Sequence, residues 1–138
     1  MRVVLDSNVL LSAFIRVDSK PYKLVRAWLD GRFELVSSRE QLEELTRASR
    51  YPRLRRLLEP VEIGWLINRI RERALIVDKV PDIDAANDPA DNFLLAMADK
   101  ASAEYLVTGD KFGLLALKRH GLTRIVSVSE MVATLKLR

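Results

Sequence analysis

Near its start the chain reads Val3-Val4-Leu5-Asp6-Ser7-Asn8-Val9-Leu10. The apolar run predicts a buried strand, and the polar residues that follow it predict a direct passage into a helix. In open α/β sheets, ligands bind in the crevice outside the carboxyl ends of the strands. The carboxylate of Asp6 is therefore expected to lie in such a crevice.

A second apolar run, Tyr105-Leu106-Val107-Thr108-Gly109-Asp110, also ends on a carboxylate. Taken alone, Asp6 and Asp110 are each explained equally well as helix N-caps, because aspartate is a favoured capping residue. The carboxyl ends of parallel strands share one sheet edge, however, and two caps have no reason to converge there. The repulsion between the two carboxylates would be offset by a divalent cation, and this points to metal-dependent chemistry on phosphate.

The composition is that of an ordinary folded protein, and we expect a single domain over residues 1–138. The 138 residues include no cysteine, which excludes disulfides, thiolate metal sites and cysteine nucleophiles. No apolar stretch approaches the roughly 20 residues that span a bilayer, and the N-terminus leads into a strand without a signal-peptide pattern. We therefore expect a cytoplasmic protein without a membrane segment. The net charge of +4 favours a polyanionic partner.

Helix and strand signals alternate along the chain. This alternation predicts an α/β fold with three α/β/α layers, a central parallel sheet and a helical insertion after the second strand. Strands are predicted at 3–6, 33–36, 75–77, 105–108 and 124–126. Helices are predicted at 8–16, 62–75, 88–101 and 111–120, with one that ends at Gly31 and one that begins at 127. A further helix is predicted to end at 49. Ser37 or Ser38 caps its start, with Glu40 or Gln41 as the reciprocal capping partner.

Two further acids lie on predicted helices. Asp91 follows Asp88-Pro89-Ala90 at the third helical position, where an acid also interacts favourably with the helix dipole. Glu44 lies in mid-helix beside Glu43 and one turn after Glu40. Periodicity does not tell which of these three glutamates points inward.

Oxygen ligands without histidine or cysteine suit Mg²⁺ or Mn²⁺ rather than Zn²⁺. The one histidine, His120, precedes Gly121 and is explained as a cation at a helix C-terminus. The chain contains no P-loop and no GxGxxG motif, so NTPase and dinucleotide-binding functions have no support. Hydrolysis by metal-activated water is the chemistry that remains.

A basic cluster follows the Glu44 helix, with five arginines within ten residues and Tyr51 among them. Such a cluster can bind a phosphate backbone and stack on an unpaired base, although it can also be a solvated face paired with Glu59 and Glu62. Trp28 and Trp65 lie among apolar residues and are predicted core or oligomer contacts. The five arginines are Arg47, Arg50, Arg53, Arg55 and Arg56.

The stretch Leu5-Asp6-Ser7-Asn8-Val9-Leu10-Leu11-Ser12-Ala13 resembles the opening motif of PIN-domain proteins. The resemblance is to the VapC-like group in particular, which is described as the toxin component of prokaryotic type II toxin-antitoxin systems. Residues 37–45, Asp88-Pro89-Ala90-Asp91-Asn92-Phe93-Leu94 and Val107-Thr108-Gly109-Asp110-Lys111 match the later motifs in order. The resemblance covers nearly the whole chain.

This resemblance implies an endoribonuclease that depends on Mg²⁺ or Mn²⁺. Its catalytic and metal-binding acids would be Asp6, Glu44, Asp91 and Asp110, and Glu44 is preferred to Glu43 because leucine follows it. Ser7, Asn8 and Thr108 would support these acids or orient the substrate, and Lys111 would join the arginines in binding RNA. The resemblance also implies an antitoxin protein partner and a homodimer or higher homo-oligomer.

Alternatives stay open at this point. Relatives often carry another acid where this chain has Phe112, which supports a non-catalytic or weakly active PIN-like module that binds RNA or protein. An RNA-processing nuclease without a toxin role is equally compatible with the motifs. A phosphatase of the haloacid dehalogenase type is disfavoured, because Asn8 stands where its general acid is required.

Overall fold

The computed structural model describes residues 1–78, 89–110 and 113–138. These residues form alternating strands and helices. The strands are β1 (Arg2–Leu5), β2 (Glu34–Ser38), β3 (Leu75–Val77), β4 (Tyr105–Val107), β5 (Arg119–His120) and β6 (Thr123–Val126). The helices are α1 (Ser7–Ser12), α2 (Lys20–Leu29), α3 (Arg39–Ala48), α4 (Pro52–Arg55), α5 (Pro60–Arg73), α6 (Pro89–Ala101), α7 (Leu114–Leu117) and α8 (Val128–Thr134).

The strands form one sheet in the order β3-β2-β1-β4-β6-β5. All neighbouring pairs are parallel except β5 and β6, which are antiparallel, and the two edge strands are β3 and β5. Three helices, α3, α4 and α5, lie between β2 and β3 in the chain. The predicted α/β class and the helical insertion after the second strand are thus confirmed.

The two faces of the sheet bury separate apolar clusters, because successive side chains of a strand point to opposite faces. Val3 and Leu5 of β1 belong to the cluster that includes α1, α2, α3, α5 and α8. Val4, between them, belongs to the cluster that includes α6 and Leu114 of α7. The central strand is fully buried on both faces, so its polar continuation at Asp6 emerges only at the carboxyl edge.

Several predicted boundaries are wrong. Helix α1 ends at Ser12 rather than at residue 16, and Phe14 beyond it packs edge-on against Trp65 with 6.0 Å between ring centroids. Strand β2 extends through Ser38 rather than ending at 36. The short helix α4 was not predicted, and Pro52 begins it because the fixed φ of proline suits the first helical turn.

The predicted helix over 111–120 is also wrong in the part that the structure describes. Helix α7 is a single turn, and His120 lies on strand β5 rather than at a helix C-terminus. Its Nε2 lies 2.8 Å from Asp99 Oδ2 of α6, and Gly121 makes the turn into β6 with φ of 57°. The interpretation of His120 as a helix-terminal cation is therefore wrong.

Asp88 at the start of the predicted 88–101 helix, and Lys111 and Phe112, lie outside the described residues. Within the described ranges, no helix is long and apolar enough to cross a membrane. Trp28 is buried, with 3% of its surface exposed, which confirms it as a core residue. Trp65 is 41% exposed.

Candidate active site

The carboxyl ends of β1 and β4 lie side by side at the middle of the sheet. Leu5 pairs with Val107, and the backbone N–H of Asp6 donates to the Val107 carbonyl oxygen at 2.9 Å. The chain moves from β1 to β2 and β3 on one side, and to β4 and β6 on the other. Such a reversal of strand order opens a crevice at the carboxyl edge, which is where α/β proteins hold their ligands.

Asp6 lies in this crevice and also caps helix α1. Its Oδ1 accepts a hydrogen bond from the backbone N–H of Asn8 at 3.2 Å. Its Oδ2 accepts a hydrogen bond from Thr108 Oγ1 at 2.8 Å. Capping and a place in the crevice are therefore compatible, and these two bonds fix the orientation of the carboxylate.

Thr108 connects Asp6 to the second strand-end acid. Its fully buried hydroxyl donates to Asp6 and accepts from the backbone N–H of Asp110 at 3.1 Å. Asp110 Oδ1 in turn accepts from the backbone N–H of Gly113 at 3.0 Å. A Cβ at Gly113 would collide with the Asp110 carboxylate, so this close approach requires glycine.

The structure brings the four predicted acids to one cleft with a volume of about 390 Å³. Glu44 enters it from mid-α3 and is half-buried, whereas Glu40 and Glu43 are exposed. Asp91 enters it from the third residue of α6, and Ser7, Asn8 and Tyr51 also line it. The acids in this cleft, hereafter the acidic cleft, are Asp6, Glu44, Asp91 and Asp110.

A buried glutamine beneath the acidic cleft ties α3 to β1. Gln41 has no exposed surface, and its Nε2 donates to the Leu5 carbonyl oxygen at 2.7 Å and to Ser7 Oγ at 3.4 Å. Its Oε1 accepts from Ser37 Oγ at 2.6 Å. Ser38 caps α3 by accepting from the Gln41 backbone N–H at 3.1 Å. Ser38 is therefore confirmed as the cap, whereas the Gln41 side chain points into the core instead of returning to the cap.

Burial dominates the electrostatics of Asp6. Removal from water raises the pKa of its carboxyl above the usual value, and the negative charge of Asp110 raises it further. The hydrogen bonds from Thr108 and Asn8 oppose this rise. A positive charge in the cleft would favour the ionised form of Asp6, which is the form that can act as a ligand of a cation.

The donor set suits a hard divalent cation, because it offers carboxylate oxygens without sulfur or imidazole. Within residues 1–78, 89–110 and 113–138, however, no three acidic or histidine side chains converge closely enough to hold a metal ion. Mg²⁺ usually keeps several waters and is held by one or two carboxylates, so a cation in this cleft would not need all four acids as direct ligands.

The predicted RNA-binding arginines separate into two groups, and neither group is among the residues that line the acidic cleft. Arg47 and Arg50 line a different groove, on the other side of α3. Arg53, Arg55 and Arg56 are exposed in and just after α4. Tyr51, between the two groups, is 56% exposed and lines the acidic cleft itself.

Sequence reasoning did not identify Gln41 as a support of the site or Gly113 as a contact of Asp110. A signal for Gln41 was present, because it precedes Leu45 by four residues and Ala48 by seven, which places it on the buried stripe of α3. Gly113 had no comparable signal. Its role depends on where the Asp110 side chain turns.

Comparison with known proteins supports the family assignment made from the motifs. The curated proteins include no match to this chain. A family model described as PIN domain matches residues 2–112, which include all four acids of the cleft. Since this match covers well over half of the sequence, the chain belongs to the PIN domain family.

Proposed function

We propose that this protein is an endoribonuclease that hydrolyses RNA phosphodiester bonds with Mg²⁺ or Mn²⁺. PIN domains are generally nucleases and usually use divalent metals. The observation that carries the proposal is the acidic cleft, where four carboxylates from separate elements line one crevice at the reversal of strand order.

Asp6, Glu44, Asp91 and Asp110 would hold the cation. When bound, it supplies the positive charge that activates water and neutralises the leaving oxygen. Thr108 keeps two of the acids in a fixed relation through its hydroxyl. Asn8 is exposed at the cleft and suited to orienting a phosphate, whereas buried Ser7 supports the floor through Gln41.

The proposed substrate is single-stranded RNA, because Tyr51 presents an exposed ring at the cleft on which an unpaired base can stack. Arg53, Arg55 and Arg56 offer exposed positive charge on the adjoining segment, and Lys111 follows Asp110 in the sequence. These cations would bind the flanking phosphates.

The proposed biological role is that of a toxin in a prokaryotic type II toxin-antitoxin pair, acting in the cytoplasm and neutralised by an antitoxin protein. We further propose a homodimer or higher homo-oligomer through the apolar surface around Trp65. Ile15, Val17 and Val61 are also exposed. Buried Trp28 is not part of such a surface.

A non-catalytic or weakly active PIN-like module is the second candidate. It is favoured by Phe112, which stands where relatives of the resembled group often carry another acid. In such a module the acids would keep only structural roles, as Asp6 has in capping α1. Mn²⁺ would then neither stabilise the fold nor promote cleavage.

The experiment measures cleavage of a panel of single-stranded and hairpin RNAs by wild type and Asp6→Asn, with Mg²⁺, Mn²⁺ or EDTA. The proposal predicts cleavage that requires the cation and disappears in Asp6→Asn, and a rise in wild-type melting temperature with Mn²⁺. If cleavage is absent and Mn²⁺ does not change the melting temperature, the non-catalytic module is the correct function. Cleavage by a folded Asp6→Asn protein would overturn the assigned site.

A further inference from the structure

A second depression lies across α3 from the acidic cleft. It has a volume of about 450 Å³, a size sufficient for a nucleotide-sized group. Leu42 of α3 and Ile76 of edge strand β3 contribute apolar surface, and Thr46 adds a hydroxyl. Its charged residues, which define what we call the arginine groove, are Arg39, Glu43, Arg47, Arg50 and Arg71.

The arginine groove has excess positive charge, with four arginines and one glutamate. Glu43 lies 3.5 Å from Arg39 Nε, but both side chains are well exposed, so this pair is weak. In the part of the chain that the structure describes, Arg47, Arg50 and Arg71 form no ion pair with an acid. Three guanidinium groups are thus available to a polyanion in one open surface depression.

The arginine groove and the acidic cleft adjoin at the C-terminal end of α3. Ala48 and Tyr51 line the cleft, whereas Arg47 and Arg50, their neighbours in the chain, line the groove. A strand that stacks a base on Tyr51 would reach the groove by crossing the end of one helix. Neighbouring residues of the chain thus line the two depressions, on either side of the end of α3.

We propose that the arginine groove binds the sugar-phosphate backbone of single-stranded RNA outside the cleavage cleft. The inference rests on the proposed function and deepens it, because it gives the substrate a second contact site remote from the acids. Guanidinium groups match phosphate geometry and charge, and the apolar strip along Leu42 and Ile76 suits a ribose or base face. A phosphate backbone is favoured over an acidic peptide, because residues next to Arg47 and Arg50 in the chain line the cleft that is proposed to bind RNA.

The test measures the affinity of a single-stranded RNA 20-mer by fluorescence anisotropy in EDTA at several salt concentrations. The test variant is Arg47→Gln/Arg50→Gln. The matched control is Arg26→Gln/Arg119→Gln, which removes the same charge from α2 and from β5 at the opposite edge of the sheet. All four arginines are exposed, so neither variant disturbs the core.

Each phosphate contact on a single strand contributes about 0.7 to the salt slope of log K. Loss of two contacts should flatten the slope by about 1.4, so the wild-type affinity should fall about sevenfold more than that of the test variant between 50 and 200 mM salt. We expect weaker RNA binding by the test variant at low salt, and wild-type behaviour from the control.

Equal behaviour of the two double variants would overturn the arginine groove as an RNA site. Retained RNA binding by the test variant together with lost binding of a poly-glutamate 12-mer would overturn it in favour of an acidic peptide. Both results are independent of catalysis, because binding is measured in EDTA. Cleavage by the wild type with Mn²⁺ decides the proposed function separately.

Discussion

Gln41→Met tests whether the buried glutamine holds the floor of the acidic cleft. Methionine keeps the length and approximate volume of the side chain but removes its amide. The Leu5 carbonyl would lose a 2.7 Å hydrogen bond, and the Ser37 hydroxyl would lose a 2.6 Å bond. Because Gln41 and Ser37 have no exposed surface, water would not replace these partners.

The expected cost follows mainly from these two short bonds, because the third bond of the Gln41 amide, to Ser7 Oγ, is long at 3.4 Å. Each broken bond leaves a buried polar group unsatisfied, at about 1–3 kcal/mol, and the gain from burying a thioether in place of an amide offsets part of the sum. We expect a net loss of about 3 kcal/mol in the free energy of unfolding. For a chain of this size that corresponds to a decrease in melting temperature of about 10 °C.

Urea denaturation and thermal melting measure this loss, with Glu43→Met as the matched control two residues further along α3. Glu43 is exposed and makes one weak ion pair with Arg39, so its replacement should cost less than about 0.5 kcal/mol. Equal stability of the two variants within 1 kcal/mol would refute the assignment of Gln41 as a buried connection between α3 and β1.

Three further predictions concern the acidic cleft. Because burial raises the pKa of Asp6, ionisation of this carboxyl lowers the stability of wild type as the pH rises from about 3.8 through the raised pKa. The melting temperature of Asp6→Asn in EDTA should therefore exceed that of wild type at pH 7 and equal it near pH 3. A difference in melting temperature that stays constant from pH 3 to pH 7 would contradict burial of Asp6 as the cause. Mn²⁺ should raise the melting temperature of wild type but not of Asp6→Asn, and equal shifts would place the cation elsewhere. Gly113→Ala should displace the Asp110 carboxylate and reduce Mn²⁺-dependent cleavage at least tenfold. Its melting temperature should stay within about 4 °C of wild type. Unchanged cleavage would show that catalysis does not need the orientation of Asp110 that Gly113 permits.

The fold class was predictable because its signals are local and repeated. The run from Val3 to Leu5 is buried on both faces, as an uninterrupted apolar strand requires, and the alternation of strands and helices predicted a largely parallel sheet. The juxtaposition of Asp6 and Asp110 followed from the same logic, since parallel strands share a carboxyl edge. The family motif added the choice of Glu44, which periodicity alone could not make.

The features that the sequence did not predict, such as strand β5 and the orientation of Gln41, depend on tertiary contacts. Strand β5 is two residues long, too short for a periodic signal, and it exists because it pairs with β6. The orientation of the Gln41 side chain is set by hydrogen bonds to the Leu5 carbonyl and the Ser37 hydroxyl. Leu5 lies 36 residues away in the sequence, so no local pattern reveals this contact. Likewise, the closely spaced arginines after Glu44 were predicted as one basic cluster. In the structure, Arg47 and Arg50 line the arginine groove, whereas the other three lie in and just after α4.

Cleavage of single-stranded RNA with Mn²⁺ by Glu44→Gln and Glu43→Gln tests whether the acidic cleft is the catalytic site. The two residues are adjacent on α3, yet only Glu44 lines the acidic cleft, and Glu43 faces the arginine groove. We expect Glu44→Gln to lose cleavage at least a hundredfold, while Glu43→Gln cleaves at no less than half the wild-type rate. Full activity of folded Glu44→Gln would contradict the assignment of the acidic cleft as the catalytic site.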